Sequence, residues 1–136
     1  MDMRGYQRYR EDAVHTMTPG ELLLLLYDEL VKRLTLAELE LAKEHYPTFE
    51  AAVDRSLAII RYLDDTLDRQ YPIGRDLARL YDYFCYELNR VKAGRNATEL
   101  TRVKTMAAEL RESFQQADKN NTAAAPEAGT VSGGRP

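Results

Sequence analysis

Apolar residues recur at spacings of three and four positions in four long segments of the chain. The segments run from about 19 to 45, 48 to 70, 74 to 92 and 97 to 117. This spacing places the apolar side chains on one face of a helix, so each segment is predicted to be an amphipathic α-helix. No stretch shows the polar/apolar alternation that is typical of a strand. Because the connections are short, the sequence predicts an all-α fold, an antiparallel four-helix bundle.

The first helix is expected to begin at Thr18, where several signals agree. Thr18 is a favourable N-cap, Pro19 suits the first helical position, and Glu21 stands where a capping-box carboxylate reaches back to the cap. The run Leu22–Leu26 follows and points in every direction around the helix axis. Part of this turn is therefore apolar on a face that would otherwise meet water, which indicates either deep burial or a partner.

Prolines and glycines mark the other expected helix ends. Pro47 is expected to end the first helix, because the residue before a proline avoids the helical conformation. The segment 71–74, Tyr-Pro-Ile-Gly, separates the second and third helices. Gly94 is expected to cap the C-terminus of the third helix, and Asn96 with Glu99 repeats the capping pattern at the start of the fourth.

Two segments flank the predicted bundle domain, which we place at residues 18–117. Residues 1–17 are too polar for a core helix and form an N-terminal arm, which is disordered, a short fifth helix or a flap over an apolar groove. The large apolar and aromatic residues of interest in this arm are Tyr6, Tyr9 and Val14. Residues 118–136 are small, polar and rich in Pro and Gly, which predicts a disordered C-terminal tail.

Composition narrows the classes of function. The 136 residues suffice for one domain with a real core, and the single cysteine, Cys85, excludes an intramolecular disulfide and suits a reducing cytoplasm. The net charge of −3, with both signs mixed along the chain, argues against a nucleic-acid surface. The longest apolar run, Leu22–Tyr27, is too short to span a bilayer, and no apolar leader is visible. We therefore expect a cytoplasmic protein without membrane insertion.

Catalytic chemistry finds little support in the sequence. The two histidines, His15 and His45, and one cysteine do not make a zinc site, and no Glu-x-x-His pair suggests a di-iron bundle. Arg10 and His15 have the spacing of the HEPN ribonuclease motif. That motif is expected inside a core helix near the end of the domain, whereas these residues precede the first predicted helix. We interpret the cluster of Asp64, Asp65 and Asp68 as part of a solvated helix face. The alternatives to a binding protein are thus a HEPN-like bundle enzyme and a generic adaptor, such as a phosphotransfer domain built on His45.

Several tyrosines lie beside the core stripes and not within them. At 100° per residue, Tyr81 and Phe84 fall within the stripe of the third helix, whereas Tyr83 and Tyr86 fall on a neighbouring face. Tyr62 is off the stripe of the second helix in the same way. These rings either border a wide apolar sector or line a groove that receives a partner's apolar side chains, and we favour the groove.

Part of the sequence resembles the FliS family of flagellar secretion chaperones. From Tyr6 to Leu22 it reads Tyr-x-x-Tyr-x-x-x-x-Val-x-Thr-x-x-Pro-x-Glu-Leu. The pattern continues through Leu26-Tyr27-Asp28, Leu63-x-x-x-Leu67-Asp68 and Leu80-Tyr81-Asp82-Tyr83-Phe84, so the resemblance covers residues 6–117. Met17-Thr18-Pro19 replaces the usual Ala-Ser-Pro and keeps a hydroxyl cap, and Phe114 stands where the family often has Trp.

This resemblance implies a cytoplasmic chaperone that is not an enzyme and needs no cofactor. It implies binding of the disordered C-terminal segment of flagellin, prevention of premature filament polymerisation and delivery to the flagellar export gate. The arm is expected to fold onto the bundle over a surface that flagellin later takes, in a monomer or an arm-exchanged homodimer. Together with the aromatic pattern, it predicts as partner-binding residues Tyr6, Tyr9, Val14, Leu22, Leu25, Tyr27, Tyr62, Tyr83 and Tyr86.

Overall fold

Four helices form the part of the chain that the computed structural model describes, residues 16–131, with side chains described through residue 120. They are α1 (Pro19–Ala42), α2 (Tyr46–Asp65), α3 (Pro72–Gly94) and α4 (Ala97–Val131). No strand occurs within these residues. The predicted all-α class is confirmed.

The helices form a ring of four in which each packs mainly against two others. α1 packs against α2 and α4, and α3 packs against the same two helices from the opposite side. Since the connections are short, neighbouring helices run antiparallel, as predicted. The core is built from the predicted apolar stripes, and its largest fully buried side chains are Tyr27, Leu30, Leu34, Phe49, Val53, Ile60, Leu63, Tyr81, Phe84, Leu88, Val91 and Leu100.

The start of α1 is the capping box that the sequence predicts. The Glu21 backbone N–H donates to Thr18 Oγ1 over 3.1 Å, and the Thr18 N–H donates to Glu21 Oε1 over 2.9 Å. Two N–H groups that have no partner within the helix are thereby satisfied. The cap also fixes the point at which the chain enters the bundle.

Replacing Thr18 by Ala is expected to lower the free energy of unfolding by about 1 kcal/mol, because one capped N–H loses its acceptor. Thermal unfolding followed by circular dichroism measures this change. Affinity for a partner should stay within a few fold. A variant with unchanged stability but abolished partner binding would contradict the purely structural role of Thr18.

Two helix ends differ from the prediction. α1 ends at Ala42 rather than near His45, because Glu44 adopts a left-handed conformation with φ of 59°. Pro47 does not terminate α1. It lies in the first turn of α2, where its missing N–H has no helical partner to lose. α2 in turn ends at Asp65, before the predicted end at Gln70.

The junction between α3 and α4 is tighter than expected. Gly94 is the last residue of α3, and the left-handed capping conformation belongs to Arg95, with φ of 55°. The Arg95 guanidinium lies 3.5 Å from the centre of the Tyr46 ring, a cation–π contact that offsets the strain of a left-handed non-glycine residue. Asn96 does cap α4, since its Oδ1 accepts from the Glu99 N–H over 3.0 Å.

Gly74, in the first turn of α3, is required by a close backbone approach. A Cβ at this position would overlap the carbonyl oxygen of Asp68 and lie 2.8 Å from its carbonyl carbon. The loop 66–71 therefore crosses directly over the start of α3. This contact shapes one end of the bundle.

α4 extends beyond the end predicted near Ala117. The helix continues to Val131, through residues that the sequence assigned to a disordered tail. The Asp118 side chain lies against Gly20 at the start of α1, so α4 packs on α1 at least to this point. The division of the chain into arm, bundle and tail remains a prediction, and residues 1–15 lie outside the described part.

Candidate partner-binding surfaces

An apolar groove opens at the end of the bundle where α1 and α3 begin and α2 ends. We call it the end groove; its volume is about 240 Å³. Tyr71 and Ile73 lie in its lining and are 60% and 64% exposed, whereas the other apolar residues are buried or half-buried. The apolar side chains lining it are Leu23, Leu63, Leu67, Tyr71, Ile73, Leu77, Tyr81 and Phe114.

Two buried tyrosines lie beneath this groove. The hydroxyl groups of Tyr27 and Tyr81 are hydrogen-bonded to each other, and the Tyr27 ring lies 5.3 Å from the ring of Phe114. Burial raises the pKa of both phenols above the ordinary tyrosine value, so both remain uncharged well beyond physiological pH. Tyr27 has no exposed surface. Direct contact with a partner, which the sequence predicted for Tyr27, is not available to it, because its ring belongs to the core.

Tyr83 lies on the side of α3 that faces α4. Lys92 Nζ pairs with Asp54 Oδ1 of α2 over 2.8 Å, whereas Glu87 is hydrogen-bonded to Glu99 of α4. At 100° per residue, Tyr83 shares the side of Glu87 and is opposite to Lys92. The partly exposed apolar residues along this α3–α4 edge are Leu80, Tyr83, Met106 and Leu110.

Tyr62 and Tyr86 point away from the bundle. They are 50% and 63% exposed, and each lies two positions from a fully buried residue, Ile60 and Phe84 respectively. The guanidinium of Arg90 lies 5.7 Å from the centre of the Tyr86 ring. Among the described residues, no ring contact joins Tyr62, Tyr83 and Tyr86. Tyr62 belongs to α2, whereas Tyr83 and Tyr86 lie three positions apart on α3, so the three predicted tyrosines do not form one stacked cluster.

A second groove, the entry groove, follows the chain into α1. It has a volume of about 630 Å³ and is lined by Thr16, Met17, Glu21, Leu24, Leu25, Asp28 and Arg111. An ion pair of 2.7 Å between Arg111 Nε and Asp28 Oδ1 fixes α4 against α1 at its edge. Leu25 lies in this groove and Leu22 is partly exposed nearby, whereas the predicted Tyr6, Tyr9 and Val14 lie outside the described residues.

A carboxyl pair joins α3 to α4 at the other end of the α3–α4 edge. Glu87 is buried, and Arg90 Nη1 donates to its Oε1 over 3.0 Å. Its hydrogen bond with Glu99, aided by Arg90, lowers the pKa of Glu87, and the same bond raises the pKa of Glu99. The Glu99 atom Oε2 is buried, and no donor in the described part of the chain reaches it.

Other candidate chemical groups serve local structure. Asp64 pairs with Arg69 over 2.8 Å, and Asp68 accepts a hydrogen bond from the Gln70 N–H. Burial raises the pKa of the Cys85 thiol, which lowers its reactivity at neutral pH. Within the described residues, no group of three or more His, Cys, Asp and Glu could hold a metal ion.

None of the helices in residues 16–131 combines the length and the apolar character required to cross a bilayer.

Comparison with known proteins identifies the family. The sequence model of the family described as "Flagellar protein FliS" matches residues 2–121. The chain belongs to the FliS family. The flagellar secretion chaperone FliS of Bacillus subtilis (strain 168) is 27% identical over 112 residues, which cover 82% of this chain and 84% of that protein.

A solved structure shows the same fold. It is described as the crystal structure of a flagellar chaperone from bacteria and is 18% identical in sequence, with a TM-score of 0.71. The match covers 88% of this chain and 99% of the other. The four-helix fold is therefore retained where few residues are shared.

The sequence pattern does not reveal the end groove. Around Pro72 it predicts only a helix break, in which Tyr71 and Ile73 lie. The available signal was the pair of large apolar residues flanking a proline at a helix start, where a polar turn is usual. The groove itself combines residues from all four helices and from the 66–71 loop, so no single periodic segment reveals it.

Proposed function

We propose that this protein is a cytoplasmic export chaperone that binds the disordered C-terminal segment of flagellin. By covering that segment it prevents premature filament polymerisation, and it delivers flagellin to the flagellar export gate. Membership of the FliS family supports this function, as does the name of its Bacillus subtilis relative. The activity is binding without a covalent step, so it requires no cofactor.

The end groove is the observation that carries the proposal. Its walls are apolar, and Tyr71 and Ile73 expose most of their side chains to water at its opening. A disordered segment that folds on binding contributes apolar anchors from one face of a nascent helix, and a groove between helices accepts such anchors. A volume of about 240 Å³ admits one or two large aliphatic or aromatic side chains. We assign the principal anchor of flagellin to this groove.

The remaining predicted residues extend the binding surface. Tyr83 on the α3–α4 edge and Leu25 in the entry groove are partly exposed at helix–helix grooves, where a draped chain finds apolar contact. Tyr62 and Tyr86 offer large rings with a polar tip on the outside of the bundle. A long segment of flagellin, the client of this chaperone, would cross several faces and use many weak contacts rather than one deep site.

Substituting Ile73 tests the assignment of the end groove. Ile73 is 64% exposed, so Ile73→Gln should leave the fold intact while removing apolar surface that the client would bury. We expect the affinity for a fluorescent peptide of the flagellin C-terminal segment to fall by about tenfold, as loss of one partly buried aliphatic side chain implies. Fluorescence anisotropy measures the affinity.

Ile73→Leu is the matched control and should bind the peptide like the wild type, because it keeps the apolar volume. If Ile73→Gln also binds normally while Tyr62→Ala or Tyr86→Ala loses the peptide, the client lies on the outer faces and the groove assignment is wrong. If the wild-type protein does not bind the peptide at all, the proposed function itself is wrong.

The arm is proposed as a displaceable flap that shields apolar surface until flagellin binds. Its support is the entry groove, which lies directly beside Thr16 and Met17, where the described chain begins. Shielding lowers nonspecific association and also lowers apparent client affinity. We expect amide hydrogen exchange to show protection in residues 6–16 of the free protein that is lost on flagellin binding. An absence of protection in both states would leave the arm without this role.

A further inference from the structure

The outward face of α1 carries a second, independent periodic pattern. Six positions follow one another at alternating spacings of three and four, the seam of a coiled coil. We call them the outer seam: Leu22, Leu25, Glu29, Lys32, Leu36 and Leu39. The opposite face of the same helix is the core face, with Leu30 and Leu34 fully buried. α1 thus has two stripes, one inside the bundle and one outside.

The outer seam is accessible in the described structure. Leu36 and Leu39 are 38% and 53% exposed, and Leu22 and Leu25 are partly exposed. Among residues 16–120, whose side chains are described, Leu36 and Leu39 are two of the six large hydrophobic residues that are exposed. Two leucines at each end of the seam enclose a charged centre, where Glu29 lies 3.8 Å from Lys32 and 3.6 Å from Arg33.

When the seam is read in the opposite direction, each leucine meets a leucine and each charged residue meets one of opposite charge. When a second copy of α1 is laid antiparallel on the first, Leu22 faces Leu39 and Leu25 faces Leu36 of the other copy. Glu29 then faces Lys32 on both sides of a two-fold axis that passes between them. A parallel arrangement would instead place Glu29 against Glu29 and Lys32 against Lys32. Charge complementarity therefore selects the antiparallel orientation.

We propose that the outer seam of α1 binds the outer seam of a second copy of this chain, antiparallel, in a symmetric homodimer. A two-fold interface uses the same patch on both copies, which this seam satisfies. The contact itself involves neither flagellin nor the N-terminal arm, and so goes beyond the proposed function. Leu25 also lines the entry groove, so the second copy shares this one position with the surface proposed for them. With four leucines from each copy, the interface is small, and we expect a dissociation constant above about 1 µM, since interfaces of standard size already extend into that range.

Charge reversal at the centre of the seam tests the pairing in the full-length protein. Sedimentation velocity from about 5 to 500 µM brackets the expected constant and should show reversible dimerisation of the wild type. Glu29→Lys, or Lys32→Glu, places like charges opposite each other twice per dimer, and should weaken dimerisation by about tenfold or more. An equimolar mixture of the two single variants should dimerise again, as should the double variant Glu29→Lys/Lys32→Glu, which restores both antiparallel pairs.

Glu109→Lys is the matched control, because it makes the same charge change at an exposed position of α4. It should dimerise like the wild type. A wild-type protein that remains monomeric up to the highest concentration would overturn the proposal. So would an equal effect of Glu29→Lys and Glu109→Lys, or a double variant that fails to recover. Circular dichroism of each variant confirms that the bundle is folded.

Disulfide trapping tests the orientation separately. In a Cys85→Ser background, Leu22→Cys and Leu39→Cys face each other only in the antiparallel pair. Mixing the two variants under mild oxidation should give mainly the mixed disulfide between position 22 of one chain and position 39 of the other. Preferential formation of 22–22 and 39–39 disulfides would contradict the antiparallel seam.

Discussion

Gly74→Ala should destabilise the bundle by about 3 kcal/mol, a large fraction of the stability of a small domain. The added methyl group would overlap the backbone carbonyl of Asp68, which cannot move aside as a flexible side chain would. The loop that carries this carbonyl is held down, because Arg75 Nη1 donates to the carbonyl oxygens of Arg69 and Gln70 over 3.0 and 3.2 Å. Chemical denaturation followed by circular dichroism measures the loss.

Gly94→Ala is the internal control for this experiment. Gly94 also lies in α3, but nothing lies within 4 Å of the position that its Cβ would take. Alanine is the better helix former, so this substitution should be neutral or should stabilise by up to about 1 kcal/mol. Equal losses in the two variants would mean that the loop over α3 yields easily. The edge of the end groove that this loop forms would then be deformable.

Tyr81→Phe should lower the free energy of unfolding by about 1–3 kcal/mol, although it removes a single oxygen atom. The hydroxyl of Tyr27 has no exposed surface and would lose its hydrogen-bond partner. A buried hydroxyl without a partner costs its full desolvation free energy. In Tyr27→Phe/Tyr81→Phe both polar groups are absent, and much of the loss should be recovered.

A double-mutant cycle of the four proteins isolates this hydrogen bond. We expect a large coupling free energy, because the double variant should lose less free energy of unfolding than the two single variants lose together. Strictly additive losses would show that water satisfies the remaining hydroxyl in each single variant. Because both rings lie beneath the end groove, the same variants also report whether the floor of that groove depends on the bond.

The helices were predictable because burial imposes a periodic stripe of apolar residues on each of them. The residues at which the helices end were harder to predict. A proline such as Pro47 is compatible with the end of one helix and with the first turn of the next, and only the left-handed Glu44 decides between them. The cap at Arg95 depends on stacking against Tyr46, a residue far away in sequence. Local pattern therefore favoured the neighbouring Gly94.

The candidate site was predictable only in part, for a related reason. Periodicity correctly separated outward Tyr62 and Tyr86 from inward Tyr81. It could not separate a core tyrosine from a partner-binding one when both roles fit the same position, as with Tyr27. Grooves depend on which helices become neighbours, and the end groove exists only because a loop and all four helices meet there. The family resemblance supplied the partner class that the physical pattern alone left open.

The buried tyrosine pair also gives the molecule two separate optical reporters. The chain has 9 tyrosines and no tryptophan, so its near-ultraviolet signal comes chiefly from phenol rings. Tyr27 and Tyr81 lie in fixed, asymmetric surroundings in the core, whereas Tyr62, Tyr71 and Tyr86 are exposed to solvent. Near-ultraviolet circular dichroism follows the first group, and quenching of tyrosine emission by a dissolved quencher follows the second. Docking of a client is thus distinguishable from loss of tertiary structure without attaching any dye to the protein.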